Sequence, residues 1–132
     1  MENSQKVKDL LDGARVAHRN RDFQAEAEKF FAAAKVVESE KNYEKAARLF
    51  VRAAKRFKRT NDPSQGQQAG EMAAKNYAAA GRPNTTMMVY EATVRTLSEE
   101  GYNERAEIVR RKMNRFKKKY HIDKQKKISK MR

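Results

Sequence analysis

The chain has no cysteine and no tryptophan, and its 132 residues include only two prolines and five glycines. Without cysteine it forms neither a disulfide nor a thiolate metal site, which fits a reducing compartment. Long apolar runs are also missing, since none approaches the ~20 residues that a membrane-spanning helix needs. The opening residues Met1 to Ser4 do not resemble the apolar core of a secretory signal, so we expect a cytoplasmic protein.

Acidic residues are scarce at the C-terminal end. Residues 110–132 contain 12 Lys and Arg against the single acid Asp123, which places +11 of the net charge of +14 in this segment. Residues 1–51, by contrast, contain 10 Lys and Arg against 9 acids and are nearly neutral. An anionic partner is therefore expected to bind at the C-terminal end.

Catalytic and metal-binding patterns are missing as well. The two histidines, His18 and His121, lie far apart in the sequence, and neither has an acidic motif beside it that would make a metal site. The sequence contains no glycine-rich phosphate loop, no nucleophile elbow and no paired-carboxylate motif. We therefore expect no catalytic residue, no metal, no cofactor and no small-molecule substrate, and the protein is not expected to be an enzyme.

What the sequence does contain is an internal repeat. Ala-Ala-Lys occurs three times at intervals of 20 residues, ending at Lys35, Lys55 and Lys75, and the same shift superposes Phe30 on Phe50. Within one period the recurring residues follow the i, i+4, i+7, i+10, i+11 spacing of a single helix face. Each period therefore predicts one helix of about 15 residues with a short turn. Helix pairs then give repeats of about 40 residues, as in tetratricopeptide-like solenoids.

Turn signals divide the chain into six expected helices. They run approximately over Ser4–His18, Phe23–Ser39, Tyr43–Arg59, Gln65–Ala80, Thr85–Glu100 and Asn103–Tyr120. Ser4 is expected to cap the first helix, Asp62 or Ser64 the fourth, and Gly81 and Gly101 to occupy left-handed positions after helix ends. The predicted fold is an all-α, right-handed solenoid of six antiparallel helices over residues 1–120. A basic tail over residues 121–132, frayed or extending the last helix, is expected to follow.

The third expected helix carries a row of cations at i, i+4, i+7, i+8 and i+11. These residues are Arg48, Arg52, Lys55, Arg56 and Arg59. The spacing sets them opposite the apolar column that contains Phe50 and Phe57. It predicts a binding surface for an acidic partner, such as a helical bundle or a phosphate backbone, with a solvated outer face as the alternative.

The sixth expected helix has a second, denser group of cations with no acid among them. It consists of Arg110, Arg111, Lys112, Arg115, Lys117, Lys118 and Lys119. They surround an apolar stripe formed by Val109, Met113, Phe116 and Tyr120. A basic amphipathic helix of this kind can bind an anionic membrane, an acidic protein or RNA, with a solvated helix face as the alternative.

Residues 22–113 resemble the N-terminal half of the soluble NSF attachment proteins (SNAPs), the adaptors of SNARE disassembly. The matching pattern is an aromatic followed by Ala-Ala (Phe30 with Ala33-Ala34, Phe50 with Ala53-Ala54), then Tyr77-Ala78-Ala79-Ala80-Gly81-Arg82-Pro83 and Glu99-Glu100-Gly101-Tyr102. Members of this family fold as a twisted sheet of antiparallel helices and bind the SNARE four-helix bundle through basic residues on one face. Where the family has an apolar membrane-attachment loop, this chain has the short polar turn at residues 20–22.

Two functional hypotheses follow. The resemblance implies a non-catalytic adaptor that docks SNARE-like or other acidic helical partners in vesicle traffic. The charged C-terminal end supports a rival hypothesis, a basic RNA-associated scaffold subunit of a ribonucleoprotein particle. Peripheral association with an anionic membrane through the same end is left open.

Overall fold

The computed structural model describes residues 2–131, with Ile122 described in its backbone only, and it folds entirely into α-helices and short turns over that range. The six helices are α1 (Glu2–Arg19), α2 (Phe23–Ser39), α3 (Tyr43–Arg59), α4 (Pro63–Ala79), α5 (Pro83–Glu99) and α6 (Asn103–Met131). Each helix packs against the next one in the chain. The all-α solenoid of six antiparallel helices expected from the repeat is therefore confirmed.

The turns between the helices share one geometry and recur every 20 residues. Each turn contains one residue with a left-handed backbone: φ is 57° at Arg21, 64° at Lys41, 57° at Asn61, 76° at Gly81 and 87° at Gly101. The next residue donates its N–H to the carbonyl five residues earlier, at 2.8 to 3.3 Å in the five turns. This hydrogen bond closes the helix end in the manner of a Schellman motif, so each helix stops at the same point of the period.

Three helix starts differ from the expectations. α4 and α5 begin at Pro63 and Pro83 rather than two residues later, because the fixed φ of proline suits the first position of a helix. Asp62 caps α4 as expected, accepting the N–H of Gln65 at 3.1 Å. The expected cap at Ser4 is wrong, because α1 is already helical from Glu2.

The alanine columns and two phenylalanines form the core. Ala33, Ala53 and Ala73 are each fully buried, which lets neighbouring helices approach closely. Phe50 and Phe57 are also fully buried and fill the space between helices, as expected. Burial of such a ring stabilises the fold by about 2 kcal/mol or more.

Polar side chains connect helices that are one repeat apart. Gln24 donates to Asp62 at 3.1 Å, joining α2 to the start of α4, and Arg105 donates to Gln67 at 3.1 Å, joining α6 to α4. In both pairs the partners are 38 residues apart, close to the length of one helix pair. α2, α4 and α6 therefore form one row of the solenoid, and α1, α3 and α5 form the other.

Candidate partner-binding surfaces

The cations of α3 lie outside the core, but they do not form one continuous surface. Arg48, Arg52, Lys55 and Arg59 are exposed, whereas the side chain of Arg56 retains 31% of its accessible surface. A helix turns by about 100° per residue, so residues seven positions apart diverge by about 20° around the axis and residues eight positions apart by about 80°. Arg52, Arg56 and Arg59 contact α2, whereas Lys55 lines the space between α3 and α5.

Arg56 is bound to a buried carboxylate. Its Nε lies 3.2 Å from Oε2 of Glu26, whose side chain is only 4% exposed. The other carboxylate oxygen of Glu26 lies 3.2 Å from Nδ1 of His18. A buried carboxylate needs such partners, because an unpaired charge in the interior is costly. Arg56 is thus held by a contact within the fold, and its part in a partner-binding surface stays a prediction.

Two arginines of α3 cover aromatic rings of α2. The guanidinium carbon of Arg59 lies 4.1 Å from the ring centroid of Phe23, and that of Arg52 lies 5.6 Å from the centroid of Phe30. These cation–π contacts fix the direction of the arginine side chains while leaving their outer edges in solvent. The aromatic residues of α2 were the sequence signal for these cation–π contacts. The spacing of the cations within α3 alone could not reveal the contacts.

Arg48 lies in a small surface network. It is 3.6 Å from Glu44 in the previous turn, and Glu44 also accepts a hydrogen bond from Arg82 at the start of α5. All three side chains are more than a third exposed, so the pairs contribute little to stability. They do reduce the net positive charge that Arg48 offers to a partner.

The first three cations of the α6 group are paired with acids. Arg110 and Arg111 both contact Glu107, one turn earlier, and Lys112 lies 2.8 Å from a carboxylate oxygen of Glu71 in α4. No acid is interleaved within the group, but acids outside it pair with its proximal part. Glu71 is far away in the sequence, so only the folded chain could reveal that it neutralises Lys112.

The remaining cations of α6 project into solvent. Arg115, Lys117, Lys118 and Lys119 are exposed, and none of them forms an ion pair among the described residues. α6 does not stop at Tyr120 but continues to Met131, so the tail extends the helix rather than fraying. Its further cations are also exposed: Lys124, Lys126, Lys127 and Lys130.

The exposed end of α6 has cations on all sides. Successive residues are rotated by about 100°, which places Lys117, Lys118 and Lys119 in three different directions around the axis. Apolar residues with described side chains, such as Ile128 and Met131, are 40% and 80% exposed. A helix that binds flat on a membrane needs one broad apolar face opposite its cations. The arrangement is better suited to an anionic partner that surrounds or runs beside the helix.

An aromatic ladder anchors α6 where it leaves the repeat. The ring centroids of Tyr90 and Phe116 are 6.3 Å apart, and Phe116 stacks on Tyr120 at 6.3 Å. Burial, with the nearby negative charge of Glu71, raises the pKa of the Tyr90 phenol above its usual value. The ladder holds the start of the projecting helix against α5, so the cations that follow are presented in a fixed direction.

A comparison with known protein families finds no model that matches the chain. Curated proteins and solved structures likewise give no significant match. Fold, geometry and charge are therefore what bear on the function.

Two structural features are absent from the part of the chain that the structure describes. Within residues 2–131 there is no cluster of three or more His, Cys, Asp or Glu side chains placed to hold a metal ion. Over the same range, none of the helices is long and apolar enough to cross a bilayer. What the described residues do offer is a rigid helical stack with an outward-pointing cationic helix.

Proposed function

We propose that this protein is a non-catalytic adaptor that binds an acidic protein partner through the projecting end of α6. The observation that carries the proposal is the run of exposed cations from Arg115 to Lys130 on a helix anchored to a helical repeat. A fixed cationic rod of about 22 Å beyond Phe116 can steer an acidic surface into contact and bind it at several points. The repeat then provides the rigid body to which the partner is joined.

The partner that we propose is a SNARE-like or other acidic helical bundle in vesicle traffic. Two things support this choice: the resemblance of residues 22–113 to the SNAP family and the stack of antiparallel helices, which is the architecture that the resemblance implies. A long, straight acidic bundle is also complementary in shape to a straight cationic helix. Arg52 and Arg59 on α3 can add to the contact, since their outer edges remain exposed.

A charge-reversal experiment tests this proposal. The full chain is incubated with an assembled SNARE bundle and with an unrelated acidic coiled coil, and the bound fraction is measured at low and at physiological salt. A variant with Lys117→Glu, Lys118→Glu and Lys119→Glu is compared with a control that has Lys6→Glu, Lys8→Glu and Lys45→Glu. All six lysines are exposed, and both variants lose the same charge.

The outcomes separate charge from position. We expect at least a tenfold loss of binding in the α6 variant, since three charge contacts become repulsive, and a much smaller loss in the control. Equal losses would show that net charge alone drives binding. If the wild type binds neither bundle, the adaptor proposal fails. Arg56→Glu is unsuitable here, because it would place a second carboxylate beside Glu26 and damage the fold.

The second candidate is a basic RNA-associated scaffold, and the distribution of cations around the end of α6 favours it. A phosphate backbone can follow a helix that is cationic on all sides. Few aromatic rings are available for base stacking, because Tyr120 already stacks on Phe116, so binding would be blind to sequence. The logarithm of affinity for single-stranded RNA should then fall with the logarithm of salt at a slope near −0.7 per phosphate neutralised.

One titration distinguishes the two candidates. Labelled single-stranded RNA is added to the wild type, to the α6 variant and to the lysine control at several salt concentrations. RNA binding that disappears in the α6 variant, with no binding of either bundle, would favour the scaffold. Weak RNA binding with tight, α6-dependent bundle binding would favour the adaptor.

A further inference from the structure

A mainly apolar cavity opens between α3 and α5, with α4 as its floor. Its volume is about 270 Å³. Its walls are formed by small and apolar side chains, among them Val51, Val89, Ala92 and Thr96, with Gly66 and Gly70 beneath them. At about 30 Å³ for each water in the liquid, this volume corresponds to about nine waters. The cavity therefore has room for one large apolar side chain but not for a folded segment.

The repeat explains why this space is mainly apolar. Position 70 corresponds, 40 residues earlier, to Phe30, and position 66 corresponds to Glu26. In the first helix pair those two larger side chains contact Arg52 and Arg56, and they line a separate groove of about 420 Å³ between α1 and α3. Both are replaced by glycine in α4.

The opposite wall has lost bulk in the same way. Arg52 and Arg56 of α3, which cover α2, correspond to Ala92 and Thr96 of α5. Four large side chains of the first groove are thus replaced by Gly, Gly, Ala and Thr in the second. The first groove is lined almost wholly by ionisable residues, whereas the second is mainly apolar.

The two glycines of α4 have different roles in shaping the cavity. A Cβ on Gly70 would lie 2.4 Å from Oγ1 of Thr93, so Gly70 lets α4 and α5 approach each other. A Cβ on Gly66 would lie 3.6 Å from the Cβ of Phe57, which is ordinary contact. A side chain at position 66 is therefore sterically allowed, and its absence leaves the space open.

The rim of the cavity identifies what should fill it. The exposed lysines Lys55 and Lys58 stand along the α3 side of the opening. Of the acids near the opening, Asp62 already accepts hydrogen bonds from Gln24 and Gln65, and Glu100 lies at the end of the α5 side. A net charge of +14 disfavours a second copy of the same chain as the occupant.

We propose that this cavity is the docking site for an aromatic or leucine side chain from an acidic helical segment of a protein partner, whose carboxylates contact Lys55 and Lys58. The partner's side chain would fill the space that is open above Gly66, beside Ala92 and Thr96. A large apolar anchor in a preformed pocket, with charges at the rim, is the usual composition of a binding hot spot. The choice of an acidic partner rests on the function proposed above, but the pocket is separate from α6.

The test uses a designed probe and variants that fill the pocket. The probe is a fluorescent, glutamate-rich helical peptide with one central Phe, and its control is the same peptide with Ala at that position. Binding to the full chain is measured by anisotropy. Thr96→Leu and Gly66→Leu fill the cavity from two helices, and Thr96→Val is an isosteric control that leaves it open. Circular dichroism melts verify that each variant is folded.

We expect the wild type and Thr96→Val to bind the Phe peptide at least about tenfold more tightly than the Ala peptide. This preference should disappear in both filled variants but persist in the triple α6 variant. The pocket proposal and the α6 proposal can therefore fail independently of each other. Equal binding of the two peptides by the wild type would overturn the inference. So would a preference that survives filling, or a fatty acid that binds the open pocket while the peptides do not discriminate.

Discussion

The side-chain amide of Asn76 in α4 donates a hydrogen bond of 2.7 Å to the carboxylate of Glu38 in α2. Asn76 is almost fully buried, and its Nδ2 also contacts the carbonyl of Met72. The amide is thus a polar connection between two helices of the same row, inside the solenoid. Replacing the amide nitrogen of Asn76 by an oxygen is therefore expected to disrupt this connection.

Asn76→Asp should lower the free energy of unfolding by about 2 kcal/mol, because it removes the donor and sets a carboxylate beside Glu38. Urea denaturation at neutral pH measures the loss. Glu38→Gln alone should cost less than 1 kcal/mol or so, since its amide oxygen still accepts the bond. The double variant should recover part of the loss, and strict additivity would argue against the contact.

Arg56→Ala should destabilise the protein by about 2 kcal/mol, because the buried carboxylate of Glu26 would keep only the half-exposed His18 as a hydrogen-bonding partner. Arg48→Ala is the matched control, and it should change stability by no more than about 0.5 kcal/mol because its pair with Glu44 is exposed. Adding Glu26→Gln to Arg56→Ala should restore some stability. Chemical denaturation of the wild type and the three variants measures these changes. Equal losses of stability in Arg48→Ala and Arg56→Ala would contradict the buried pair.

Lys41→Gly should raise the free energy of unfolding by about 0.5 kcal/mol, because Lys41 has a left-handed backbone that glycine adopts without strain. The control uses the same substitution at a helical site, Lys45 in the first turns of α3. Lys45→Gly should lower the free energy of unfolding by up to about 1 kcal/mol. Thermal melts of both variants check the prediction. Changes of the same sign would mean that the turn geometry is not as described.

Asp62→Ala should cost about 1 kcal/mol at pH 7 through loss of the cap of α4. Burial acts to raise the pKa of Asp62, but hydrogen bonds from the Gln65 backbone and from Gln24, with others, outweigh it, so the pKa lies below 3.8. A lowered pKa in the folded state adds stability above pH 3.8, and that stability is lost as the pH falls through the folded pKa.

The difference between wild type and Asp62→Ala should therefore shrink as the pH is lowered toward 2, and it should be constant between pH 6 and 8. Urea titrations across this range measure it. A difference that grows in acid would mean that the folded pKa is raised instead.

The sequence predicted the framework because its determinants are local. Turn residues near Arg21, Lys41 and Asn61 mark the helix ends, and the apolar pattern between the turns places Phe50 and Phe57 in the core. All of these signals act over a few residues. The helical continuation past Tyr120 was harder to anticipate, since residues 121–131 have little to bury. Their lysines and glutamine have good intrinsic helix propensity, which suffices to extend a helix that is already nucleated.

The binding surfaces were harder to predict because their residues are chosen by contacts between helices. Arg56 looked equivalent to Arg52 in the pattern along α3, and only the approach of α2 assigns it to Glu26. The pairing of Lys112 with Glu71 likewise spans a whole repeat. Helical periodicity shows which residues share a face, but it does not show which neighbouring side chain will neutralise them.

The constant spacing of the left-handed turn residues makes the chain modular. A cassette that begins at one turn and ends two turns later contains one ascending and one descending helix. Copying or excising such a cassette would leave the direction of all other helices unchanged, whereas excising half of it would reverse every helix that follows. The number of repeats is thus free to change by duplication and loss, while the contacts within each repeat stay the same.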